Sequence, residues 1–249
     1  MLEVNEIFGP TIQGEGKLLG TPSIFIRFAR CNMRCEGFAV EYKTANGEIK
    51  KSCDTYYAVD PYFKEQWQKL SSQDIINNVL KLQTNYNIDI VITGGEPLLH
   101  WNNKEFQELL KYYIQNNHKV TIETNGSLNI EFTENYQKKI VFSMSVKLSN
   151  SLEPFKKRVN IKALTAILNE TNDSYLKFVV KKNNIEESKK EIKEILKQIP
   201  KSEVYLMPMG STSKELDENS EAVIKMAIEN NYKYSDRLHI RIWDNKRGV

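Results

Sequence analysis

Three cysteines are the residues of this chain whose type and spacing most clearly indicate chemistry. Cys31, Cys35 and Cys53 are the only cysteines in the sequence, and the first two form a Cys-x3-Cys pair. An odd number of crowded cysteines favours metal binding over disulfide bonds. Three thiolates on a four-iron cluster leave one iron open to a substrate or cofactor. The alternatives are a zinc site, which needs a fourth ligand such as a distant histidine, and buried cysteines that bind no metal.

Glycines, carboxylates and a lysine occur directly after predicted strands. Strands are predicted over short apolar runs at residues 23–28, 90–92, 120–123, 140–144, 175–180 and 204–207. The segments that follow or close them are residues 30–35, 93–97, 123–126, 143–147 and 207–210. In a parallel α/β fold the working groups sit on loops at the carboxyl ends of the strands. We therefore expect these segments to form one site at one edge of the sheet.

Helical patterns lie between the strands and complete the predicted fold. A helix capped by Ser72 would bury Ile75, Ile76, Val79 and Leu80 on one face. Further helices are predicted over residues 106–114, 185–199 and 220–230, and a last strand over residues 238–243. Residues 36–71 are polar, aromatic and irregular, and they interrupt the alternation. The pattern predicts an α/β fold with a mainly parallel sheet.

Composition and charge exclude several classes of protein. The chain has 249 residues, of which 40% are hydrophobic and 27% charged, and we expect one domain over residues 1–249. A net charge of +3 argues against a dedicated nucleic-acid binder, and the short basic run at residues 156–158 is expected to be solvated surface. No apolar run approaches the ~20 residues of a membrane helix, and the N-terminus lacks a signal-peptide layout. We therefore expect a cytoplasmic protein with no nucleic-acid or membrane partner, in which thiols stay reduced.

The cysteine pair and the Gly-Gly-Glu-Pro segment together resemble the radical S-adenosylmethionine (SAM) superfamily. The cysteines follow the first predicted strand, and Gly94-Gly95-Glu96-Pro97 follows the second. The resemblance implies a partial (β/α) TIM-like barrel with an inserted cluster loop. It also implies a 4Fe-4S cluster whose open iron binds SAM. Glycines suit such a loop because they let the backbone approach a ligand closely.

Within that superfamily the chain resembles the 7-carboxy-7-deazaguanine synthase family. Residues 6–16 carry the similarity, above all Gln13-Gly14-Glu15-Gly16, as do residues 22–28, 53–55, 93–97, 123–126, 145–149 and 177–180. The resemblance implies conversion of 6-carboxy-5,6,7,8-tetrahydropterin to 7-carboxy-7-deazaguanine with release of ammonia, on the path to queuosine and other 7-deazapurines. It further implies a homodimer and an electron donor such as flavodoxin or ferredoxin.

The same resemblance assigns roles to individual residues, with no catalytic side chain beyond the cluster and SAM. Cys31, Cys35 and Cys53 would hold the cluster, and Thr55 would bind Mg2+. The expected SAM-binding residues are Gly95, Glu96, Ser145, Val146, Lys147, Met207, Pro208, Met209 and Gly210. The expected substrate-binding residues are Ile12, Gln13, Gly14, Glu15, Arg27, Thr93 and His239. Arg27 suits the pterin carboxylate because guanidinium binds carboxylate through two hydrogen bonds, and Glu123 is a further candidate for the guanidine-like edge.

Two departures from the family pattern leave alternatives open. Phe38 stands where the superfamily usually has its third cysteine, so residues 36–52 are interpreted as an insertion before Cys53. Val146 stands where the family often has proline. The alternatives are another radical SAM enzyme, such as a glycyl-radical enzyme activase, and a zinc-stabilised binding module.

Overall fold

The computed structural model describes residues 1–82 and 84–249. Its strands are β1 (Leu2–Ile12), β2 (Pro22–Phe28), β3 (Val40–Lys43), β4 (Ile49–Ser52), β5 (Gln68–Leu70), β6 (Asp89–Gly94), β7 (Val120–Thr124), β8 (Val141–Ser145), β9 (Tyr175–Val180), β10 (Val204–Pro208) and β11 (Lys233–Tyr234). Its α-helices are α1 (Tyr56–Val59), α2 (Ser72–Leu80), α3 (Lys104–Gln115), α4 (Phe155–Arg158), α5 (Ile161–Glu170), α6 (Ile185–Leu196), α7 (Ser213–Glu229) and α8 (Leu238–Trp243).

Most of the strands belong to one open sheet. Within the described residues, nine strands pair in the order β11-β10-β9-β8-β7-β6-β2-β1-β5, and β3 and β4 form a separate hairpin. Within this sheet, each neighbouring pair in the series β2-β6-β7-β8-β9-β10-β11 is parallel. Only β1 runs antiparallel, against β2 on one side and β5 on the other. The predicted α/β fold with a mainly parallel sheet is confirmed.

The hydrophobic core lies between the parallel strands and the helices that connect them. On α3 the buried residues are Phe106, Leu109, Leu110 and Tyr113, which is the apolar face that the sequence predicts. The ring of Phe106 packs edge-on against Phe28 of β2 at a centroid distance of 5.4 Å. Burying one such side chain stabilises the fold by about 1.5–3 kcal/mol. The core therefore fixes the strands, and their carboxyl ends are left to carry polar groups.

The prediction of a last strand over residues 238–243 is wrong. These residues form α8, in which the N–H groups of Ile240 and Arg241 both donate to the carbonyl of Arg237. The alternation of Leu238, Ile240 and Ile242 resembles a strand, but Ile240 is buried whereas Ile242 is 53% exposed. Short apolar runs do not distinguish a strand from one helical turn by spacing alone.

The first strand of the molecule was not predicted. β1 is long, but its ladder with β2 shifts register between Phe8 and Thr11, around the Gly9-Pro10 bond. This irregularity and the mixed polarity of the segment hide the alternation of a regular strand. The strand matters for function because it ends at Ile12, directly before the Gln-Gly-Glu-Gly segment.

Two helices begin elsewhere than predicted, for the same reason. Ser71 rather than Ser72 caps α2, because its hydroxyl accepts from the Asp74 N–H while the Asp74 carboxylate accepts from the Ser71 N–H. Thr212 and Glu215 form the same capping box at α7, which begins at Ser213 rather than at residue 220. A reciprocal pair of hydrogen bonds therefore decides where each helix starts. The helix predicted over residues 185–199 is α6, which ends at Leu196.

Residues 36–71 contain more structure than the irregular segment that was predicted. They form the β3–β4 hairpin, α1, a 3-10 helix at Pro61–Gln66 and β5. Tyr42 of the hairpin stacks on Tyr56 of α1 at a centroid distance of 4.3 Å, and its hydroxyl donates to Asp60 over 2.5 Å. These contacts anchor the inserted hairpin beside the cysteines. The assignment of residues 1–249 to one domain stays a prediction.

None of the helices in the described part of the chain is long and apolar enough to span a bilayer.

Candidate functional site

One cavity of about 610 Å3 opens at the carboxyl ends of the parallel strands. Most of the site residues predicted from the sequence line it. They are Ile12, Gln13, Gly14, Glu15, Arg27, Cys31, Cys35, Cys53, Thr55, Thr93, Gly95, Ser145, Lys147, Met207, Met209, Gly210 and His239. The fold therefore brings together segments that are far apart in the sequence, as the parallel topology predicts.

Three of the predicted SAM-binding residues do not line this cavity. Val146 lies in the hydrophobic core, and Pro208 is buried at the end of β10. Glu96 is fully buried, and its carboxylate accepts from the N–H groups of Leu98 and Asn125 and from the Thr124 hydroxyl at 2.6–3.0 Å. The Glu96 side chain thus ties the loop after β6 to the turn after β7.

The paired glycines hold the loop after β6 against the start of the cysteine loop. Gly94 has a φ of +135°, and a Cβ there would overlap the carbonyl oxygen of Phe28. A Cβ at Gly95 would overlap the carbonyl oxygen of Arg30, which also accepts from the Glu96 N–H over 2.8 Å. Only glycine permits so close an approach of two backbones. These glycines therefore fix the position of the chain as it enters Cys31.

The three cysteines lie on two loops that meet at the cavity. Cys31 and Cys35 follow β2, Cys53 follows β4, and all three are free thiols. The Cys31 sulfur accepts from the Met33 N–H over 3.3 Å, and the Cys53 sulfur lies 3.3 Å from the Thr55 hydroxyl oxygen. Burial is the main cause that raises the pKa of each thiol, to about 12 for Cys35. Converging free thiols whose charge the protein itself does not favour fit a site completed by a cationic cluster.

A closed zinc site finds less support in the geometry. His100 and His118 do not line the cavity. Structural zinc takes four protein ligands, which three cysteines alone do not supply. Three cysteines suffice for a 4Fe-4S cluster that keeps one iron open.

A buried ionic network forms the other end of the cavity. The Glu15 carboxylate accepts from Lys177 Nζ over 2.5 Å and from Arg237 Nε over 2.8 Å. Burial alone would raise the pKa of Glu15, but the charges of Lys177 and Arg237 outweigh it and hold that pKa well below its usual range. The Lys177 side chain is only 3% exposed. Glu15 is therefore a fixed carboxylate at neutral pH.

Glu123 extends this network across the cavity. Its two carboxylate oxygens accept from Gln13 Nε2 over 3.3 Å and from Thr93 Oγ1 over 2.8 Å. Lys177 Nζ lies 4.0 Å from the same carboxylate. Two residues predicted to bind substrate, Gln13 and Thr93, are thus held by Glu123, a second acidic side chain that lines the cavity.

Arg27 and His239 line the same cavity from opposite segments. Arg27 Nε donates to Glu6 over 2.7 Å, and its guanidinium lies over the rings of Phe8 and Tyr57. Its predicted partner was a substrate carboxylate, and a guanidinium has four further N–H donors for one. His239 lies on α8 so close to Gly14 that a Cβ at Gly14 would overlap its ring. Burial and then Arg237 lower the pKa of His239, which keeps the ring neutral near pH 7.

Sequence reasoning missed two cations of this site. Lys177 was noticed only as part of the similar segment 177–180, although it is the one charged residue in the apolar run of β9. Arg237 had no such signal, because it precedes a segment that was interpreted as a strand. Asp54, whose carboxylate accepts from Arg237 Nη2 over 2.6 Å, was noticed only as part of the Cys53-Asp54-Thr55 motif.

Comparisons with known proteins agree with this site. The family described as a 4Fe-4S single cluster domain matches residues 12–168. The 7-carboxy-7-deazaguanine synthase of Halobacterium salinarum is 30% identical, over 98% of this chain and 91% of that protein. The enzyme of the same name from Leptospira interrogans is 31% identical, over 99% of this chain and 97% of that protein.

Solved structures agree on the fold. The crystal structure of QueE from Escherichia coli matches with a TM-score of 0.67 at 22% identity, covering 96% of this chain and 94% of that chain. The crystal structure of Streptococcus suis SuiB matches with a TM-score of 0.52 at 14% identity, covering 90% of this chain and 50% of that chain. The expected partial barrel is thereby confirmed.

The sequence relatives and the cysteine-lined cavity lead to one assignment. The segment that matches the 4Fe-4S family, residues 12–168, contains Cys31, Cys35 and Cys53. The similarity to the synthases extends over nearly the whole chain. A cluster and SAM are therefore the cofactors of this fold. The chain belongs to the 7-carboxy-7-deazaguanine synthase family of radical SAM enzymes.

Proposed function

We propose that the protein converts 6-carboxy-5,6,7,8-tetrahydropterin to 7-carboxy-7-deazaguanine with release of ammonia, in the synthesis of queuosine or another 7-deazapurine. One observation carries the proposal. A single cavity has three free cysteines at one end and a network of carboxylates and cations at the other. Such an arrangement supports radical chemistry on a small polar molecule with both hydrogen-bond donors and acceptors.

Each end of the cavity has its own task in this proposal. Cys31, Cys35 and Cys53 would hold the 4Fe-4S cluster, which together with SAM supplies the one-electron chemistry that removes a hydrogen atom from the substrate. SAM would lie along the Gly95 loop, the Ser145–Lys147 turn and the Met207–Gly210 segment, each of which contributes to the lining. Lys147 Nζ donates to Ser145 Oγ over 2.8 Å, so the two polar side chains of that turn are held together.

The substrate would be held by groups that match its polar edges. Glu123 suits a guanidine-like N–H edge, because carboxylates accept two such hydrogen bonds. Arg27 suits the carboxylate of the substrate, with Glu6 fixing its orientation from the opposite side. His239 is neutral, so it could accept one hydrogen bond and donate another without adding charge. Ile12, Gly14 and Thr93 complete the proposed contacts.

We further propose that Thr55 binds Mg2+ in the loaded enzyme. Its hydroxyl lines the cavity two residues after Cys53. Mg2+ commonly keeps several waters and takes few protein ligands, with substrate oxygens completing its coordination. Thr55 Oγ1 lies against the Cys53 sulfur at 3.3 Å, so the metal and the cluster would be close neighbours.

The electron donor is proposed to be a small acidic carrier protein such as flavodoxin or ferredoxin. Next to the cysteine loop lies a surface that consists of Arg34, Leu152, Phe155, Lys156 and Lys157, which we call the carrier surface. Leu152 is 73% and Phe155 54% exposed, and Arg34, Lys156 and Lys157 are exposed as well. Exposed apolar groups on a segment that also carries exposed basic side chains fit an acidic partner with an apolar centre.

A direct contact links this carrier surface to the cluster site. One oxygen of the Glu153 carboxylate accepts from the N–H groups of Arg34 and Cys35, over 2.5 and 3.0 Å. Lys157 donates to the other oxygen over 2.7 Å. An electron carrier docked here would therefore lie within a few bonds of a proposed cluster ligand. The prediction that residues 156–158 are solvated surface is wrong for Arg158, which is buried and donates to the carbonyls of Glu153 and Lys147. Lys156 and Lys157 are exposed, and the proposal adds a docking role to them.

Two other expectations stay predictions, the homodimer and the cytoplasmic location. A glycyl-radical enzyme activase would share the cysteines and the Gly-Gly-Glu-Pro loop, but its substrate is a protein. The ionic network of Glu15, Glu123 and Lys177 favours the small-molecule substrate, because these groups converge inside one cavity rather than on an open face.

The test is anaerobic reconstitution with iron and sulfide, followed by dithionite, SAM, Mg2+ and 6-carboxytetrahydropterin, with products identified by mass spectrometry. We expect 5′-deoxyadenosine together with 7-carboxy-7-deazaguanine, and neither product from protein kept free of iron. Deoxyadenosine without the deazaguanine would contradict the proposed substrate while leaving the radical chemistry intact. Zinc in place of iron after reconstitution would contradict the proposal as a whole.

A further inference from the structure

Arg237 makes three hydrogen bonds that reach three different segments of the site. Its Nε donates to Glu15 over 2.8 Å, its Nη1 to the carbonyl of Gly210 over 2.6 Å, and its Nη2 to Asp54 over 2.6 Å. The side chain is only 14% exposed. All three nitrogens of the guanidinium are therefore engaged by the protein itself.

The three partners belong to segments with different proposed ligands. Glu15 lies in the substrate segment, Gly210 lies in the SAM segment, and Asp54 stands between Cys53 and Thr55. A planar guanidinium presents its donors in a fixed fork, so its three partners share one geometry. A movement of any one segment changes the hydrogen bonds that hold the other two.

The chain around Arg237 strengthens this link. The N–H of Leu238 donates to the carbonyl of Gly14 over 2.8 Å, next to Glu15. The Ser235 hydroxyl accepts from the Gly16 N–H over 2.7 Å on the other side. Three successive residues of the substrate segment, 14–16, are thus hydrogen-bonded to the stretch that leads into α8 and to the first residue of α8. Of the three residues that make these contacts, Arg237 also hydrogen-bonds to the SAM segment through Gly210 and to the cluster segment through Asp54.

We infer that Arg237 is a positioning residue that couples the binding of SAM to the binding of the substrate. When one ligand orders its segment, the guanidinium orders the other segment as well, so the second ligand binds to a site that is already arranged. This inference rests on the proposed function, which supplies the two ligands. Each of the three guanidinium nitrogens of Arg237 already donates to a protein acceptor, so we assign Arg237 to holding these segments and not to acting on the reacting atoms.

The experiment measures the affinity of the reconstituted enzyme for SAM by calorimetry, with and without the substrate and in the absence of reductant. Coupling between ligand sites commonly amounts to 5- to 150-fold. We expect the substrate to tighten SAM binding about tenfold in the unaltered protein, and at most about twofold in Arg237→Gln. With reductant, Arg237→Gln should form more deoxyadenosine per deazaguanine, because cofactor cleavage is no longer tied to a seated substrate.

Arg237→Lys and Arg241→Gln complete the design. Lysine keeps the charge but not the fork, so Arg237→Lys should lose most of the coupling even if Arg237→Gln folds poorly. Arg241 is a salt-bridged arginine of the same segment that does not line the cavity, and Arg241→Gln should keep the full coupling. Full coupling in a folded Arg237→Lys variant, or none in the unaltered protein, would overturn the inference without touching the proposed reaction. Failure of the unaltered protein to form deazaguanine would instead count against the proposed function.

Discussion

The two ends of the cavity treat their charged groups in opposite ways. At the ionic end, Glu15, Glu123, Lys177 and Arg237 are paired with one another inside the protein. At the cysteine end, burial raises the pKa of all three thiols. The ionic end is therefore arranged by the fold alone, whereas the cysteine end becomes complete only with its cluster.

This difference has a physical reason in the partners that each group finds. A buried ion pair loses hydration but recovers energy from its counter-charge and from hydrogen bonds, so a folded chain can keep it ready. A buried thiol without a cation stays protonated and weakly bonded. The ionic end is thus pre-organised for ligand recognition. At the cysteine end, the thiols lose their protons and become ordered only when the cluster is loaded.

The largest effect is expected from the cysteines. Replacing Cys31, Cys35 or Cys53 by alanine should abolish stable cluster binding and reduce product formation at least about a thousandfold, because each removes one of three ligands. The measurement is iron and sulfide content and visible absorbance after reconstitution, followed by the product assay. The Cys53→Ala variant is the most informative, because its cysteine lies beyond the inserted hairpin. A full complement of iron in that variant would remove Cys53 from the ligand set.

An intermediate effect is expected from Lys177, which tests the ionic end. Lys177→Met leaves the buried Glu15 with Arg237 alone, and we expect the free energy of unfolding to fall by about 3 kcal/mol. The matched control is Lys197→Met, whose partner Glu194 and own side chain are 66% and 68% exposed. That variant should lose less than about 1 kcal/mol.

Denaturant unfolding of the unaltered protein and both variants, at one pH and one state of cluster loading, provides the comparison. Equal losses for Lys177→Met and Lys197→Met would mean that the ionic end is not held by its buried pairs. The claim that the fold alone arranges the ionic end would then be wrong.

The smallest effect is expected at the carrier surface, which serves the cysteine end alone. Lys156→Glu should slow reduction of the cluster by reduced flavodoxin about threefold at low salt, since it reverses one charge at the rim of the contact. Added salt should shrink the difference, because exposed charges are screened. Lys104→Glu, on α3, is the matched control and should reduce at the normal rate. A rate unchanged in Lys156→Glu at low salt would place the docking site elsewhere.

The sequence was most informative where chemistry depends on residue type and order. Cysteines in a Cys-x3-Cys pair and glycines that must approach another backbone have few substitutes, so their presence and order are enough to indicate a function. The parallel sheet was predictable as well, because buried strands such as β6 and β8 are short, nearly continuous apolar runs. The same spacing argument failed for α8, where three alternating apolar residues suited a strand or a helical turn equally.

The side-chain partners could not be predicted, because they join positions that are distant in the chain. Glu96 follows two glycines of the site, yet its carboxylate turns into the protein and bonds to the turn after β7. Arg237 lies more than two hundred residues after Glu15, its salt-bridge partner. Pairing at that range is decided by packing, which sequence patterns of period 2 or 3.6 do not contain.

The amino-acid sequence by itself determined the cofactor chemistry, the order of the loops and the alternation of strands and helices. The alternation follows from local periodicity, whereas the cofactor chemistry follows from the resemblance of the motifs to the radical SAM superfamily. Only the tertiary structure decided which side chains face the cavity, how Lys177 and Arg237 fix the buried carboxylates, and where a partner protein could approach Cys35. Those properties arise when segments meet in space, since burial and pairing of charge depend on every element that surrounds a group.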